Sequence, residues 1–367
     1  MIFTVILHLF VTCIIVQILY YLFFFIFFIS KRKEEHTSIK RPVSVIICAK
    51  NEAKNLKNFL PSIINQNYQN FEIILINDDS TDETLEIMET FSMKYNNIRI
   101  VDVKSTETFW GNKKYALALG IKASSNDHLL FTDADCKPIS KNWIAKMMTQ
   151  FTGEKQIILG YGKYLKEPKL VNLLVRYETL LTAIQYFSYT KAGIPYMAVG
   201  RNLAYHKSEF YKVKGFTNHM HLKSGDDDLF IQEASDKKNV TIQTSPEAFT
   251  ISKGPDSFKQ WFHQKRRHIS TANYYKLKHK ILLGLFFLTK LLFLLLSLVC
   301  FFIFPWQSIL PFVASYYIIT FLVISLASNQ LQEKQIIYTL PFLDIGLVLF
   351  QFSIFISNLF LKPAPWK

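Results

Sequence analysis

The sequence predicts an α/β domain with a mainly parallel sheet, flanked by transmembrane helices, one N-terminal and about three C-terminal. In the middle of the chain, short apolar runs rich in β-branched residues alternate with helical segments. At both ends, long apolar runs replace this pattern. We therefore expect a transmembrane anchor at 1–30, a central domain with interfacial helices at 38–275, and a transmembrane region at 281–361.

The net charge restricts the classes of partner. The 367-residue chain has 42 Lys and Arg against 28 Asp and Glu, a formal charge of +14. Such an excess favours nucleic acid, an anionic membrane surface or a phosphate-bearing substrate. Because long lipid-compatible stretches accompany the charge, we expect no nucleic acid, and anionic lipid headgroups are the simplest explanation. The four cysteines lie far apart, which predicts neither a disulfide framework nor a zinc site.

The N-terminal apolar run predicts a retained anchor. Ile2 to Ile29 contains no Asp, Glu, Lys or Arg, and at about 1.5 Å per residue it can cross a bilayer core of roughly 30 Å. It is too long for the apolar region of a signal peptide and lacks a charged start. Lys31, Arg32 and Lys33 follow it at once. By the positive-inside rule, the central domain is expected in the cytoplasm.

The C-terminal apolar runs predict further membrane segments at Ile281–Phe304, Ile309–Ala327 and Ile336–Leu361. Lys276, Lys278 and Lys280 precede the first run and again place the central domain inside. Lys290 interrupts this run, and one sequence leaves open whether it faces the protein interior, snorkels or serves function. The last run contains Asp344, and it either spans the membrane or is partly interfacial.

Four strands and three helices are predicted in the central domain. The strands are Val43–Cys48, Phe71–Ile76, Ile98–Val103 and His128–Thr132, and the helices are Asn55–Asn65, Thr84–Tyr95 and Lys113–Ala123. In a parallel sheet covered on both faces, ligands bind beyond the carboxyl ends of the strands. Acidic residues follow the second and fourth strands, so a ligand site is expected there.

Three polar motifs indicate chemistry at this edge. Asp133-Ala134-Asp135 directly follows a strand, and carboxylates there suit Mg²⁺ or Mn²⁺ shared with substrate phosphates. Alone, such a tripeptide also fits a solvated turn. Ser224-Gly225-Asp226-Asp227-Asp228 and Gln264-Lys265-Arg266-Arg267-His268 follow in order. Alone, they also fit a helix start or calcium turn and a basic membrane-facing patch.

Taken together, the motifs resemble those of family 2 glycosyltransferases with a GT-A fold. The chain is most similar to the membrane branch that includes hyaluronan, chitin and cellulose synthases and ceramide glucosyltransferase. That branch has an acid after the second strand, a D-x-D, a G-D-D or E-D, and a Q-x-x-R-W. Here Asp78, Asp133-Ala134-Asp135, Gly225-Asp226-Asp227 and Gln264 to His268 stand in the same order. The resemblance covers roughly residues 43 to 270 and the membrane layout.

Three positions depart from the family pattern. Cys48 and Lys50 stand where Pro and Tyr are common, which removes an aromatic ring from the nucleobase. Asn77 replaces an acid, and His268 replaces the final Trp. Because that Trp lies near the acceptor sugar in polymer-forming members, its replacement weakens the case for a processive polymerase.

The resemblance implies roles for the donor side of the site. Glu52 and Asp78 would bind the nucleoside, and Asp135 would ligate the metal. The other expected donor-binding residues are Lys113, Asp133, Gln264 and Arg267. Lys113 fits a helix-start surface lysine equally well.

The resemblance also implies a catalytic base and an acceptor side. Asp227 would take the acceptor proton in a single displacement that inverts configuration, with Asp226 as the competing assignment. The segment 193–205 resembles the family's acceptor-side segment. Gly200, Arg201 and Asn202 are therefore candidate acceptor or donor contacts. His268 either lies at the acceptor edge or is structural.

The expected function is therefore metal-dependent transfer of a sugar from a nucleotide-sugar, with a UDP-sugar as the expected donor. The acceptor is expected to be a lipid in a bacterial-type cytoplasmic membrane. A processive polysaccharide synthase is the alternative, and a non-catalytic membrane scaffold is the third hypothesis. Residues 170–187 form either an interfacial helix that guides a lipid acceptor or an ordinary core helix. The sequence does not specify the sugar, the linkage or the oligomeric state.

Overall fold

A computed structural model describes residues 1–29, 40–104, 113–222 and 224–360. The chain forms two compact units. Among the described residues, the helical unit contains 1–29, 166–188 and 255–360, and the sheet unit contains 40–104, 113–165, 189–222 and 224–254. Packing thus groups 166–188 and 255–275 with the apolar helices, whereas the domain boundaries expected from the sequence remain a prediction.

The sheet unit contains ten strands among the described residues. They are β1 Val43–Ala49, β2 Phe71–Asp78, β3 Ile98–Val103, β4 His128–Asp133, β5 Cys136–Pro138, β6 Ile157–Leu159, β7 Gly162–Tyr164, β8 Leu203–His206, β9 Val240–Ile242 and β10 Thr250–Ser252. Seven strands form one sheet in the order β3-β2-β1-β4-β8-β6-β9, in which β8 alone runs antiparallel to its neighbours. Strands β5, β10 and β7 form a second, three-stranded sheet. The mainly parallel α/β fold expected from the sequence is confirmed.

The register brings the polar strand ends to one edge of the large sheet. Cys48 on β1 pairs with Ile76 on β2 and with Asp133 on β4. All three strands run in the same direction, so the residues that follow them emerge together. Antiparallel β8 begins at this same edge, because Leu203 pairs with Phe131.

The helices include both short connecting helices and long apolar ones. They are α1 Ile2–Phe24, α2 Ala53–Ile64, α3 Thr84–Lys94, α4 Lys113–Ala123, α5 Trp143–Met148, α6 Leu170–Lys191, α7 Lys207–Lys212, α8 Asp228–Ala234, α9 Phe258–Ile269, α10 Leu277–Ile303, α11 Trp306–Gln330 and α12 Leu340–Phe360. A π-helical turn at Phe25–Ile29 extends α1, and 3₁₀ turns lie at Gly200–Asn202, Thr217–His219, Pro246–Ala248, Ser270–Tyr274 and Lys334–Thr339.

One hydrophobic core holds the first half of the large sheet. Alternate residues of β1 point into it, and Leu56 and Leu60 of α2 and Trp143 of α5 pack there. Burying each large aliphatic side chain contributes about 1.5–3 kcal/mol. The strands are therefore held rigidly, which fixes the positions of the polar residues at their ends.

Four helical segments in the described part of the chain are long and apolar enough to cross a membrane: Ile2–Ile29, Leu277–Ile303, Trp306–Gln330 and Lys334–Phe360. The predicted pattern of one N-terminal and three C-terminal apolar helices is confirmed. Lys31 to Lys33, on which part of the orientation prediction rests, lie outside the described residues.

Helix α6 is enclosed along most of its length. Val175, Tyr177, Leu180, Ile184 and Phe187 are each 1% exposed or less. An interfacial helix would leave one apolar face uncovered by protein, whereas the large apolar side chains of α6 are buried except at Leu170 and Leu173. Of the two alternatives left by the sequence, burial favours the core helix.

Candidate active site

Two loops at the carboxyl edge of the sheet are bound to each other. Asn51 after β1 and Asp79 after β2 both adopt left-handed backbone, with φ of 57° and 52°. This conformation is uncommon outside glycine, although Asn and Asp tolerate it better than other residues. The Asn51 side chain accepts the N–H of Thr81 at 2.8 Å, and the Glu52 N–H donates to Thr84 Oγ1 at 2.8 Å. These hydrogen bonds fix the loops after β1 and β2, which form one side of the candidate site.

Glu52 and Asp78, the residues expected to bind the nucleoside, lie on this side. Asp78 is the last residue of β2 and is buried. Asn55 donates to Glu52 Oε2 at 2.6 Å and orients its carboxylate. Burial raises the pKa of both carboxyl groups above their ordinary values.

Asp135, which was expected to ligate a metal, and Asp133, which was expected to bind the donor, form an acid pair. Asp133 ends β4, Asp135 precedes β5, and one ligand atom from each lies within 4.8 Å of the other and of Cys136 Sγ. Burial raises the pKa of Cys136, so its thiol stays protonated and donates to Asp135 Oδ1 at 3.3 Å. Burial and then the charge of Asp133 raise the pKa of Asp135. The two carboxylates suit a divalent cation such as Mg²⁺ or Mn²⁺.

Lys113 joins two of the sequence motifs. Its Nζ lies 2.8 Å from Asp133 Oδ1 and 3.2 Å from Asp226 Oδ2. Although desolvation opposes it, the two carboxylates raise the pKa of Lys113, so the ammonium remains charged. Gly111 and Asn112, which precede this lysine in the sequence, lie outside the described residues.

Asp227 and Asp226 occupy different electrostatic surroundings. The two carboxylate oxygens of Asp227 accept the backbone N–H groups of Gly200 and Asp228, both at 2.8 Å. Burial, and then the charges of Asp226 and Asp228, raise the pKa of Asp227 to about 8. Burial acts in the same direction on Asp226, but Lys113 outweighs it and leaves the pKa of Asp226 below its ordinary value.

The turn at Gly200–Asn202 links Asp227, the candidate base, to the rest of the site. Gly200 holds Asp227, whereas Asn202 is completely buried. The Asn202 side chain accepts the indole N–H of Trp143 at 3.0 Å and donates to the carbonyls of Tyr161 and Ala248. Its amide is thus used within the protein, which indicates a structural position for this expected acceptor-side residue.

A cleft lies between the end of β4 and the loops that carry Gly200 and Asp226. Its lining residues are Ile46, Cys48, Lys113, Leu117, Phe131, Thr132, Asp133, Gly200, Leu203, Tyr205, Phe216 and Asp226. Asp133 and Asp226 therefore border an opening that a ligand can reach.

Sequence analysis missed a buried lysine at this site. Lys114 is 1% exposed, and its Nζ lies 2.9 Å from His219 Nδ1 and donates to the His219 carbonyl at 2.6 Å. Burial lowers the pKa of Lys114 to about 8, although nearby carboxylates oppose the shift. Burial and then Lys114 lower the pKa of His219 to about 4. No local sequence signal separates Lys114 from Lys113, since both begin the same helix.

Gln264, Arg267 and His268 lie on α9, in the helical unit. Trp261 on the same helix is buried and stacks on Phe350 of α12, with ring centroids 3.7 Å apart. Trp261 therefore belongs to the core of the helical unit. The functional roles expected for Gln264, Arg267 and His268 remain predictions.

Comparisons with known proteins identify the class of this domain. Residues 44–217 match the family described as Glycosyl transferase family 2. The probable glycosyltransferase YdaM of Bacillus subtilis is 28% identical over 273 residues, which cover 68% of this chain and 63% of that protein. The 4,4'-diaponeurosporenoate glycosyltransferase of Staphylococcus haemolyticus is 26% identical over 192 residues, 51% of this chain and 50% of that protein. The mannosyltransferase PcManGT from Pyrobaculum calidifontis, solved with GDP-Man and Mn²⁺, superimposes with a TM-score of 0.63 at 14% identity, over 98% of this chain and 99% of that one.

The chain carries a family 2 glycosyltransferase domain with the GT-A fold. This finding confirms the family that the motif order indicated. The alignments span between 36% and 63% of the lengths of the first curated relatives. The matched region includes Glu52, Asp78, Asp133 and Asp135, whereas the Asp226-Asp227 pair lies beyond it.

Proposed function

We propose that this chain is an inverting glycosyltransferase that moves a sugar from a nucleotide-sugar to a lipid acceptor in the membrane. One observation carries the proposal. Lys113 bridges Asp133 and Asp226, which both line one cleft, so it links the acid pair suited to a metal to the acidic turn with the base candidate. In a sugar transferase, the metal on the donor diphosphate and the base for the acceptor hydroxyl must be close enough to act on the same bound substrates.

The donor side would work through fixed charges. Glu52 and Asp78 lie where the nucleoside is expected, and Asp135 with Asp133 would hold the divalent cation. When bound, the metal neutralises charge on the departing diphosphate. The fold neighbour PcManGT was solved with Mn²⁺, which supports a divalent cation here. Lys113, Gln264 and Arg267 are the proposed cationic and polar contacts to the diphosphate.

The acceptor side would work through Asp227. The acceptor hydroxyl oxygen attacks the anomeric carbon from the face opposite the diphosphate. As the carbon–oxygen bond to the diphosphate breaks, the hydroxyl proton passes to Asp227. A single displacement inverts the configuration and needs no enzyme nucleophile. Two backbone N–H groups hold both oxygens of Asp227, so its carboxylate is oriented before the substrate arrives.

Three observations support a lipid acceptor over a growing polysaccharide. Four helical segments of the described chain are long and apolar enough to cross a membrane. The relative from Staphylococcus haemolyticus has a single organic acid, diaponeurosporenoate, in its name. His268 in place of the family Trp also argues against a polymerase. A processive synthase remains the alternative, and product size distinguishes the two.

Purified protein incubated with a panel of UDP- and GDP-sugars tests the proposal. We expect release of nucleoside diphosphate from one donor with Mn²⁺, and none in EDTA. Asp135→Asn should abolish this release, while Cys136→Ser should keep most of it. Release of the same size in EDTA would contradict metal dependence. Absence of release from every donor would favour the scaffold hypothesis.

A further inference from the structure

The guanidinium of Arg201 lies in a built pocket beside the acid pair. Its centre stacks 4.3 Å above the ring of Tyr164, and one terminal N–H donates to the Gly162 carbonyl at 2.6 Å. Gly162 makes room for it, because a Cβ at that position would lie 2.3 Å from Arg201 Nε. The Tyr164 ring and the Gly162 carbonyl therefore hold the Arg201 side chain in one place, in space that is free because Gly162 has no side chain.

Strand pairing brings the turn that carries Arg201 to the end of β4. Phe131 of β4 pairs with Leu203 of β8, and the strands are antiparallel. Asp133 lies two residues after Phe131, and Arg201 lies two residues before Leu203, in the turn at Gly200–Asn202. The turn that carries Arg201 is also in contact with β4. Electrostatic attraction between Arg201 and both Asp133 and Asp135 agrees with this placement.

Arg201 differs from Lys113 in having hydrogen-bonding capacity left. Lys113 is engaged by two carboxylates at 2.8 and 3.2 Å. Among the residues that the structure describes, no carboxylate lies within ion-pair distance of Arg201, and its buried Nε has no acceptor. A planar guanidinium with an unpaired Nε–H, near an acid pair suited to a metal, fits the anion that such a metal shares, which is a diphosphate.

We propose that Arg201 binds the diphosphate of the nucleotide-sugar donor, as a fixed cation near the acid pair. The inference rests on the proposed function and assigns a donor-binding residue within it. Arg201 would hold the phosphate oxygens in the donor complex and oppose the negative charge that grows on them as the sugar leaves.

Direct binding of UDP and of GDP, titrated in EDTA and again with Mn²⁺, tests the inference. Arg201→Met keeps an apolar stem on Tyr164 and removes the charge. It should weaken binding of the nucleoside diphosphate roughly tenfold to hundredfold under both conditions. Removing a cation beside Asp133 and Asp135 should leave the Mn²⁺ affinity unchanged or stronger. A residue with a merely structural role would weaken both together.

A second variant moves the guanidinium without removing its charge. Gly162→Ala places a methyl group where Arg201 Nε lies and should weaken nucleotide binding in the same direction. Gly153→Ala is the matched control, since a Cβ there meets nothing within 4 Å. It should bind like the wild type.

The outcomes separate this inference from the proposed function. Wild-type protein that binds and turns over donor, with Arg201→Met binding equally well, would overturn the role of Arg201 alone. Loss of nucleotide and Mn²⁺ affinity together, with a lower melting temperature, would also overturn it. A wild-type protein that binds neither nucleotide under either condition would overturn the proposed function as well.

Discussion

Asp226 and Asp227 are chemically identical neighbours whose surroundings shift their pKa values in opposite directions. Lys113 holds the pKa of Asp226 below its ordinary value, whereas burial and two adjacent carboxylates raise the pKa of Asp227 to about 8. A general base works best when its pKa lies near the working pH. Asp227 fits this requirement, and Asp226 is better suited to pairing with Lys113.

This difference predicts the pH dependence of the reaction. Protonated Asp227 cannot accept the acceptor proton, so kcat/KM should fall about tenfold per pH unit below pH 8 and level off above it. Asp226→Asn removes a charge that raises the pKa of Asp227, so its profile should move to lower pH. Initial rates measured from pH 6 to 9 for both proteins test this. A flat wild-type profile, or a shift to higher pH in the variant, would show that Asp227 is not the base.

At this scale the sequence predicted residue types better than it predicted their contacts. The order of the motifs indicated Asp133, Asp135 and the acidic turn, because the sequence shows directly where each motif lies and which motif follows a predicted strand. It could not reveal that Lys113 bridges two motifs 93 residues apart. It also could not reveal that Asn202 would be enclosed by Trp143 and two carbonyls. These depend on long-range packing.

Among the elements, the apolar helices of the helical unit are joined by a buried polar network. Lys290 of α10 forms an ion pair with Asp344 of α12. Tyr177 of α6 and Tyr316 of α11 donate to the two oxygens of Asp344 at 2.6 and 2.8 Å, and Tyr21 of α1 lies 3.3 Å from Lys290 Nζ. One ion pair thus connects five helices, and each polar atom named here has a partner.

The network predicts that Lys290 and Asp344 contribute to stability as a pair, so that removing one charge makes the other destabilising. Removing one partner of a buried ion pair typically costs about 3–5 kcal/mol, because the other charge is left unpaired. Lys290→Met and Asp344→Asn should each reduce folded yield and melting temperature in detergent. The double variant removes both charges and keeps an oxygen for the tyrosines, so it should be more stable than either single variant.

Lys280→Met provides the control for this comparison. Its Nζ is exposed and donates to the Asn273 carbonyl, so its effect should stay within about 0.5 kcal/mol of the wild type. If the double variant lost as much stability as the two single variants combined, the ion pair would not couple these helices.

Sequence patterns predicted the apolar helices but not what joins them. Lys290 and Asp344 stood out as ionisable residues in apolar runs, yet 53 intervening residues hid their pairing. The tyrosines gave no signal, because they are common in a chain with 18 of them. Helix α6 illustrates the same limit, since its apolar spacing fitted an interfacial helix and a core helix equally.

For the whole molecule, the charge distribution predicts which side of the membrane carries the sheet unit. Lys276, Lys278 and Lys280 at the start of α10 favour a cytoplasmic location. Glu154→Cys in the sheet unit and Gln307→Cys at the start of α11 both replace exposed residues. An impermeant thiol reagent applied to intact cells should label the second position only. Opening the cells should expose the first, whereas labelling of Glu154→Cys in intact cells would contradict the orientation.

Transfer of labelled sugar into membrane lipid tests the central claim most directly. Membranes that contain the protein are given Mn²⁺ and the labelled donor identified by the panel. We expect a low-mass, solvent-extractable product with inverted anomeric configuration, and none in EDTA. Asp227→Asn should bind the donor nucleotide normally yet turn over at least roughly a hundredfold more slowly. Equal incorporation by this variant or in EDTA, or label in a polymer, would contradict metal-dependent transfer of one sugar to a lipid by this site.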